Sequence, residues 1–114
     1  MLLATSNKSE LAVGYSTLYG DMCGGYNPIK DLYKTRLYSI CKWRNSSHEV
    51  WMKGPKGSVI PKSILEKSPT AELRPNQTDQ DSLPPYEVLD SILESLIEND
   101  MPISEIVKEG HNYN

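Results

Sequence analysis

The stretch ATSNKSELAVGYSTLYGD, Ala4–Asp21, decides the fold because it joins an apolar run to a polar turn and a helix. Met1–Thr5 is apolar and ends in polar residues, which is typical of the end of a buried parallel strand. A helix is predicted from Lys8 to Leu18 because apolar residues recur there at helical spacing. Asn7 can cap this helix, and Glu10 completes a capping box.

The same helix start has two interpretations. Free N–H groups and partial positive charge at a helix N-terminus favour a bound phosphate. Thr5 and Lys8 would add a hydroxyl and an ammonium, and Glu10 would hold Mg²⁺ or a ribose hydroxyl. Spacing alone favours the structural interpretation, because capping boxes are common.

The composition indicates one soluble domain of 114 residues, with 38% apolar residues and a net charge of −3. No block of basic residues occurs, so nucleic-acid binding is not expected. No apolar run is long enough for a membrane span. Cys23 and Cys41 lack metal spacing and indicate reduced thiols in a cytoplasmic protein. His48 and His111 are isolated, so a zinc site is not expected.

The rest of the chain is predicted to be mostly helical. Asn27 and Pro28 resemble a cap and a first-turn proline, and Gly110 is typical of a helix end. Thr70–Pro85 is polar and proline-rich, and it is predicted to be a long functional or disordered loop. The predicted helices are Pro28–Trp43, Pro61–Lys67, Tyr86–Glu98 and Ile103–Glu109. The inner face of the third is predicted to be Leu89, Ile92, Leu93, Leu96 and Ile97.

One predicted strand cannot satisfy its own backbone groups. The chain is therefore expected to need neighbouring strands, either from an upstream half or from other copies in a homo-oligomer. Asp21, Lys34 and Thr70 are, taken singly, a turn residue, a solvent-face lysine and a surface hydroxyl. Their order along the chain nevertheless suits a nucleotide site at the carboxyl end of a parallel sheet.

Two long motifs carry a resemblance. They are LATSNKSELAVGYSTLYGDMCGGYNPIKDLYKT (3–35) and SPTAELRPNQTDQDSLPPYEVLD (68–90). Both resemble the synthetase domain of glutamine-dependent NAD⁺ synthetases. The resemblance implies an α/β fold of the ATP-pyrophosphatase type, Rossmann-like, of which the part present is mostly helical. It also implies adenylylation of deamido-NAD⁺ by ATP with Mg²⁺, followed by attack of ammonia taken from glutamine or from free solution.

The resemblance also implies roles for individual residues. Thr5, Lys34 and Thr70 match positions that contact ATP. Glu10, Tyr15, Ser16, Thr17 and Leu18 match the deamido-NAD⁺ site, and Glu10 is also the implied Mg²⁺ ligand. Leu18 departs from a lysine of the ammonia-dependent enzymes, which favours the glutamine-dependent branch. Asp21 matches a catalytic aspartate.

Part of the family pattern is not in the sequence. The phosphate-cradling SGGxDS loop and the closing Lys-Arg segment do not occur in residues 1–114. These residues are expected to form a partial synthetase domain that is inactive alone. One alternative is a non-catalytic helical relic or interaction module. Another is a different ATP-pyrophosphatase ligase, such as a GMP or asparagine synthetase, which the stretch RPNQTDQDSLPPYEVLD disfavours.

Overall fold

A computed structural model describes residues 1–17, 20, 22–70 and 75–110. Within these ranges the chain is helical, and α1 and α2 pack against α4, which also contacts α5. None of the helices described is long and apolar enough to cross a membrane. The elements are α1 (Lys8–Ala12), α2 (Lys34–Ser46), α3 (Lys62–Glu66), a 3₁₀ turn (Asp79–Asp81), α4 (Tyr86–Ile97) and α5 (Ile103–Lys108).

The N-terminal run forms an isolated bridge rather than the predicted buried strand. Leu3 pairs with Tyr26 in a parallel bridge, and the Ala4 N–H donates to the Tyr26 carbonyl at 2.9 Å. Leu3 is 54% exposed because no further strand of the described chain covers it. Gly24 makes the close approach possible, since a Cβ there would lie 2.7 Å from the Ala4 Cβ.

Helix α1 begins with the predicted capping box but is shorter than predicted. The Asn7 side chain accepts from the Glu10 N–H at 3.0 Å, and the Glu10 carboxylate accepts from the Asn7 N–H at 3.1 Å. The helix ends at Ala12 because Gly14 has φ +74°, a left-handed conformation that stops the helical path. The predicted extension to Leu18 is therefore wrong up to residue 17, and Leu18 lies outside the described residues.

Helix α2 starts six residues later than predicted, at Lys34 instead of Pro28. Asn27 caps no helix. Its side-chain oxygen accepts from the Ile29 N–H at 3.2 Å, and its amide donates to the Ser6 carbonyl at 2.7 Å. Asn27 thus closes a turn and fastens it to the segment before α1, which is the alternative use of asparagine at such positions.

The small apolar core is built on α4. Tyr86, Leu89 and Leu93 are buried together, and half-buried hydrophobic residues pack around them. Helix α4 agrees with the prediction apart from its last residue, but its inner face does not. Leu96 and Ile97 are 42% and 44% exposed, and polar Asp90 and Ser95 are buried instead. The surrounding residues are Val13, Tyr33 and Leu83.

The predicted short helices are confirmed with small changes. Helix α3 lies within the predicted Pro61–Lys67, and α5 ends one residue early, with Gly110 at φ +103°. The predicted loop Thr70–Pro85 contains one ordered turn at Asp79–Asp81, closed by Thr78, whose N–H and hydroxyl both donate to the Asp81 carboxylate. Residues 71–74 of this loop lie outside the described part.

Candidate functional site

Helices α1 and α2 bring two of the predicted site residues together. The Lys34 Nζ lies 2.6 Å from Glu10 Oε1, and the side chains are 16% and 21% exposed. The other Glu10 oxygen accepts from the Asn7 N–H. Capping and pairing therefore use both oxygens of this carboxylate, which confirms the predicted capping box.

The ring of Tyr86 lies beneath the same lysine. The Lys34 Nζ is 5.5 Å from the ring centroid, a cation–π distance, and the Tyr86 hydroxyl donates to Asp79 Oδ2 at 2.5 Å. Burial raises the pKa of Tyr86 well above its usual range, and the hydrogen bond to Asp79 raises it further. The hydroxyl therefore stays protonated and keeps donating to Asp79.

A buried polar network fixes the start of α2. Asp90 Oδ2 accepts from the Thr35 N–H at 2.8 Å, and Asp90 Oδ1 accepts from the Ser9 hydroxyl at 2.5 Å. The Ser9 oxygen in turn accepts from the Lys34 N–H at 2.8 Å. Tyr33, at the cap position, provides no side-chain cap for α2. Ser9 and Asp90 thus cap α2 from two other helices, which sets the position of Lys34.

Sequence reasoning missed Ser9 and Asp90. Ser9 is fully buried and Asp90 is 5% exposed. A carboxylate four residues after Tyr86 and three before Leu93 lies on the apolar face of α4, where an unpaired charge would be costly. The position of Asp90 on the apolar face could have indicated a buried, hydrogen-bonded carboxylate, whereas no sequence pattern indicated the burial of Ser9.

The N–H groups on which phosphate binding at α1 would depend are largely in use. The Lys8 N–H donates to the Leu32 carbonyl at 2.8 Å, and the Glu10 N–H donates to Asn7. The Lys8 side chain pairs with Glu98, and this hydrogen bond raises the pKa of Lys8. An anion at this site would consequently depend on the Lys34 side chain more than on helix N–H groups.

Other predicted residues lie around this centre. The Tyr15 hydroxyl hydrogen-bonds to the Ser82 hydroxyl, which ties the end of α1 to the turn before α4. Thr70 is half-buried and follows Pro69, whose carbonyl accepts from the Asp79 N–H at 2.9 Å.

The remaining predicted residues are not joined to the Glu10–Lys34 pair by any contact that the structure gives. Ser16 is half-buried, and Thr5 and Thr17 are exposed. Leu18 and Asp21 lie outside the described residues.

A cleft of about 380 Å³ opens beside this centre. It lies between α2, the end of α3 and the segment leading to α4, and its size is that of a small-molecule site. Its lining includes Thr35, Tyr38, Pro69, Gln80 and Tyr86. Tyr86 therefore borders both the cleft and Lys34.

In the part of the chain that the structure describes, no group of three or more His, Cys, Asp or Glu side chains is arranged for a metal ion. Mg²⁺ does not require such a group, because it is commonly held by one or two carboxylates together with substrate phosphates and water. Glu10 fits this role, since its Oε1 would become available once Lys34 moves to a phosphate.

A lysine, a carboxylate and a cleft on joined helix ends define a candidate site for an anionic ligand. The family model for NAD synthase matches residues 1–113, and the chain therefore belongs to the NAD synthase family. This confirms the resemblance that the two motifs carry.

Individual relatives agree with this assignment. The chain is 64% identical over 110 residues to the glutamine-dependent NAD(+) synthetase of Rhodobacter capsulatus, which covers 96% of this chain and 20% of that protein. It is 51% identical over 111 residues to the glutamine-dependent NAD(+) synthetase of Xanthomonas campestris pv. campestris (strain 8004), with 97% and 19% covered. The chain thus spans about a fifth of the length of these relatives.

A solved structure shares the fold. The NMN synthetase from Francisella tularensis superposes with a TM-score of 0.62 at 26% identity, covering 96% of this chain and 40% of that protein. The chain is thus a mostly helical part of the ATP-pyrophosphatase type of fold to which such synthetases belong.

Proposed function

We propose that this chain forms part of the synthetase domain of a glutamine-dependent NAD⁺ synthetase, which converts deamido-NAD⁺ to NAD⁺ at the expense of ATP. The observation that carries the proposal is the NAD synthase match over residues 1–113, with Glu10 and Lys34 paired 2.6 Å apart inside it. The 64% identity to a protein of that name supports the glutamine-dependent branch.

Lys34 is the proposed phosphate ligand. Its backbone is held by Ser9, and Asp90 holds the next residue, so only the side chain is left to move. An ammonium near the helix start would offset the repulsion between two anionic substrates as the nicotinate carboxylate attacks the α-phosphorus. In the structure that ammonium lies 2.6 Å from Glu10 Oε1.

Glu10 is the proposed Mg²⁺ ligand and a contact for deamido-NAD⁺. When bound, Mg²⁺ would neutralise charge on the ATP phosphates. Transfer of the Lys34 ammonium to a phosphate would free Glu10 Oε1, while Asn7 would still hold Oε2. Glu10 would thus exchange one cationic partner for another.

The remaining assignments are proposed from the family pattern. Thr5 and Thr70 would contact ATP, and Asp21 would act at the reacting centre. The ammonia would come from glutamine or from solution, in a cytoplasmic protein. Tyr15, Ser16, Thr17 and Leu18 would line the deamido-NAD⁺ site.

The Rossmann-like sheet is also part of the proposal. The bridge between Leu3 and Tyr26 is parallel, and Leu2 and Leu3 are exposed beside it. Strands of an upstream half of the domain, or of another copy in a homo-oligomer, would pair here and bury these side chains. Residues 1–114 would then be the later part of one domain.

Two measurements test the proposal. The first is calorimetric titration of the chain with MgATP. Lys34→Met should weaken binding about tenfold, the loss of a charge-assisted contact. Lys62→Met, which removes an exposed lysine paired only with Glu66 among the described contacts, should leave binding unchanged. ATP binding that is equally strong without Lys34 would remove Lys34 from the proposed site.

The second measurement is NAD⁺ formation from deamido-NAD⁺, MgATP and ammonia. The chain is assayed alone and mixed with the upstream part of a glutamine-dependent synthetase. We expect product in the mixture and none from the chain alone. Absence of product in both would overturn the proposed activity, and turnover by the chain alone would overturn its dependence on an upstream part.

A non-catalytic interaction module is the second candidate. It is favoured by the exposed apolar side chains in two separate segments of the chain, among them Leu2 at 64% and Trp51 at 73%. Tight self-association without ATP binding would support this candidate over the synthetase.

A further inference from the structure

Asp79 is a buried carboxylate with one idle oxygen. It is 3% exposed, and Oδ1 has no hydrogen-bond partner among the described residues. Its other oxygen accepts a single bond, from the Tyr86 hydroxyl. Removing a carboxylate from water without filling its lone pairs is costly, so the position of Asp79 requires an explanation beyond packing.

Asp79 itself is fixed by the backbone. Its N–H donates to the Pro69 carbonyl at 2.9 Å, and its carbonyl accepts from the N–H groups of Ser82 and Leu83 at 3.2 and 2.9 Å. These three bonds hold the 3₁₀ turn in place without the side chain. The carboxylate is therefore fixed in position, and its hydrogen bond among the described residues comes from the Tyr86 hydroxyl.

Tyr86 connects the Asp79 carboxylate to the Lys34 ammonium. Its hydroxyl is held by Asp79 at 2.5 Å, and its ring lies 5.5 Å below the Lys34 ammonium. A phenol that donates to a carboxylate carries more electron density on its ring, which strengthens attraction of a cation over the face. Asp79 thus attracts the ammonium through the ring without occupying any of its N–H donors.

We propose that Asp79 is a positioning residue for Lys34, acting through Tyr86 to keep the ammonium over the cleft when it leaves Glu10 for a phosphate. The proposal rests on the proposed function of Lys34 as an ATP ligand. Tyr86 borders the cleft. The ring would therefore hold the ammonium at the edge of the cleft after it leaves Glu10.

The test is a double-mutant cycle on MgATP affinity, measured by calorimetry on the full chain. Asp79→Asn keeps an oxygen that can accept from Tyr86 but removes the charge, and it should weaken MgATP binding about fivefold. In a Lys34→Met background the same change should cost less than about 1.5-fold, because the group it acts through is gone. Deamido-NAD⁺ affinity should change less than about twofold in either background.

Two further variants make the cycle decisive. Tyr86→Phe keeps the ring and removes the hydroxyl, so it should match Asp79→Asn and not add to it; it carries the test if Asp79→Asn does not fold. Asp100→Asn is the matched control, because Asp100 is exposed and its φ of +49° suits asparagine equally well. It should leave ATP affinity unchanged.

The outcomes separate the two proposals. A wild-type chain that binds no MgATP overturns the proposed function and this inference with it. A wild-type chain that binds MgATP, with Asp79→Asn equally harmful with and without Lys34, overturns only the positioning role. An unchanged affinity in both Asp79→Asn and Tyr86→Phe does the same.

Discussion

Two regions of the molecule are held together in opposite ways. The junction of α1, α2 and α4 is centred on Ser9 and Asp90, which are buried and fully engaged by hydrogen bonds. The connection from Ser47 to Pro61, between α2 and α3, carries exposed apolar side chains, with Val50 at 101% and Trp51 at 73%. The junction is polar and buried, whereas the connection exposes apolar side chains to solvent.

The connection takes its shape from polar side chains of α2. Asn45 Oδ1 accepts from the N–H groups of Val59 and Ile60 at 2.9 Å each, and its amide donates to the Ile60 carbonyl. Arg44 donates to the Pro55 carbonyl at 2.8 Å. The backbone is thus tethered at a few points, while the side chains that would form a core face solvent.

The difference shows that paired polar groups, more than apolar burial, order this chain. Only five apolar residues are buried among those described, and the junction that holds Glu10 and Lys34 is fastened by a serine and an aspartate. Changes at the junction should therefore alter stability and the candidate site together. Changes in the connection should alter neither by much.

The largest expected effect is that of Asp90→Ala. It would leave the Ser9 hydroxyl without its acceptor and the Thr35 N–H without its partner, so α2 would lose half of its cap. We expect a loss of about 3 kcal/mol in the free energy of unfolding, measured by urea denaturation.

Glu94→Ala is the matched control for that prediction, since Glu94 lies one helical turn further along α4 and is exposed. It should change the free energy of unfolding by less than about 0.5 kcal/mol. If Asp90→Ala lost no more than this control, the junction would not be the ordering element.

Asn45→Ala should have the next largest effect. The change removes the acceptor for two backbone N–H groups and the donor to one carbonyl, in a partly buried setting. We expect a loss of about 1.5 kcal/mol in the free energy of unfolding. Ser46→Ala is the control and should be nearly neutral, because among the described contacts the Ser46 hydroxyl bonds only to the Trp43 carbonyl in its own helix.

The sequence predicted local features better than the way helices meet. The capping box at Asn7 and Glu10, α4 and the glycine after α5 follow from spacing within a few residues. The start of α2 does not, because its cap comes from Ser9 and Asp90, which are 25 and 55 residues away from the N–H groups they accept.

The candidate site shows the same difference between local features, which the sequence predicts, and tertiary contacts, which it does not. The resemblance implies that Glu10 and Lys34 serve one site, but no local pattern indicates that they pair with each other. Tyr86 and Asp79 entered the site only through tertiary contacts. The exposure of Leu96 and Ile97 was likewise not predictable, because their periodicity is that of a buried face while the described chain supplies nothing to cover them.

High pH should loosen the junction before it affects the connection. The pKa of Tyr86 is raised in the folded chain, chiefly by burial and then by Asp79. An unfolded tyrosine loses its proton near pH 10, so above about pH 10 the unfolded state binds fewer protons than the folded state. Stability contributed by Tyr86 is complete below that pH and declines above it.

Melting temperatures across this range measure the effect. The wild-type melting temperature should fall more steeply above about pH 10 than that of Tyr86→Phe, which lacks the titrating group. Tyr26→Phe removes an exposed tyrosine and should keep the wild-type slope. Equal slopes for wild type and Tyr86→Phe would contradict the assignment.

The smallest expected effect is that of Trp51→Ser. Trp51 is 73% exposed, so the change should alter the free energy of unfolding by less than about 0.5 kcal/mol. Trp43→Ser, on α2 and 45% exposed, should cost more because more of its ring is covered.

Unfolding measured at several protein concentrations completes the comparison. A concentration-dependent loss above about 1 kcal/mol for Trp51→Ser would mean that another chain covers the connection. The contrast between a buried junction and an exposed connection would then hold for the single chain and not for its assembly.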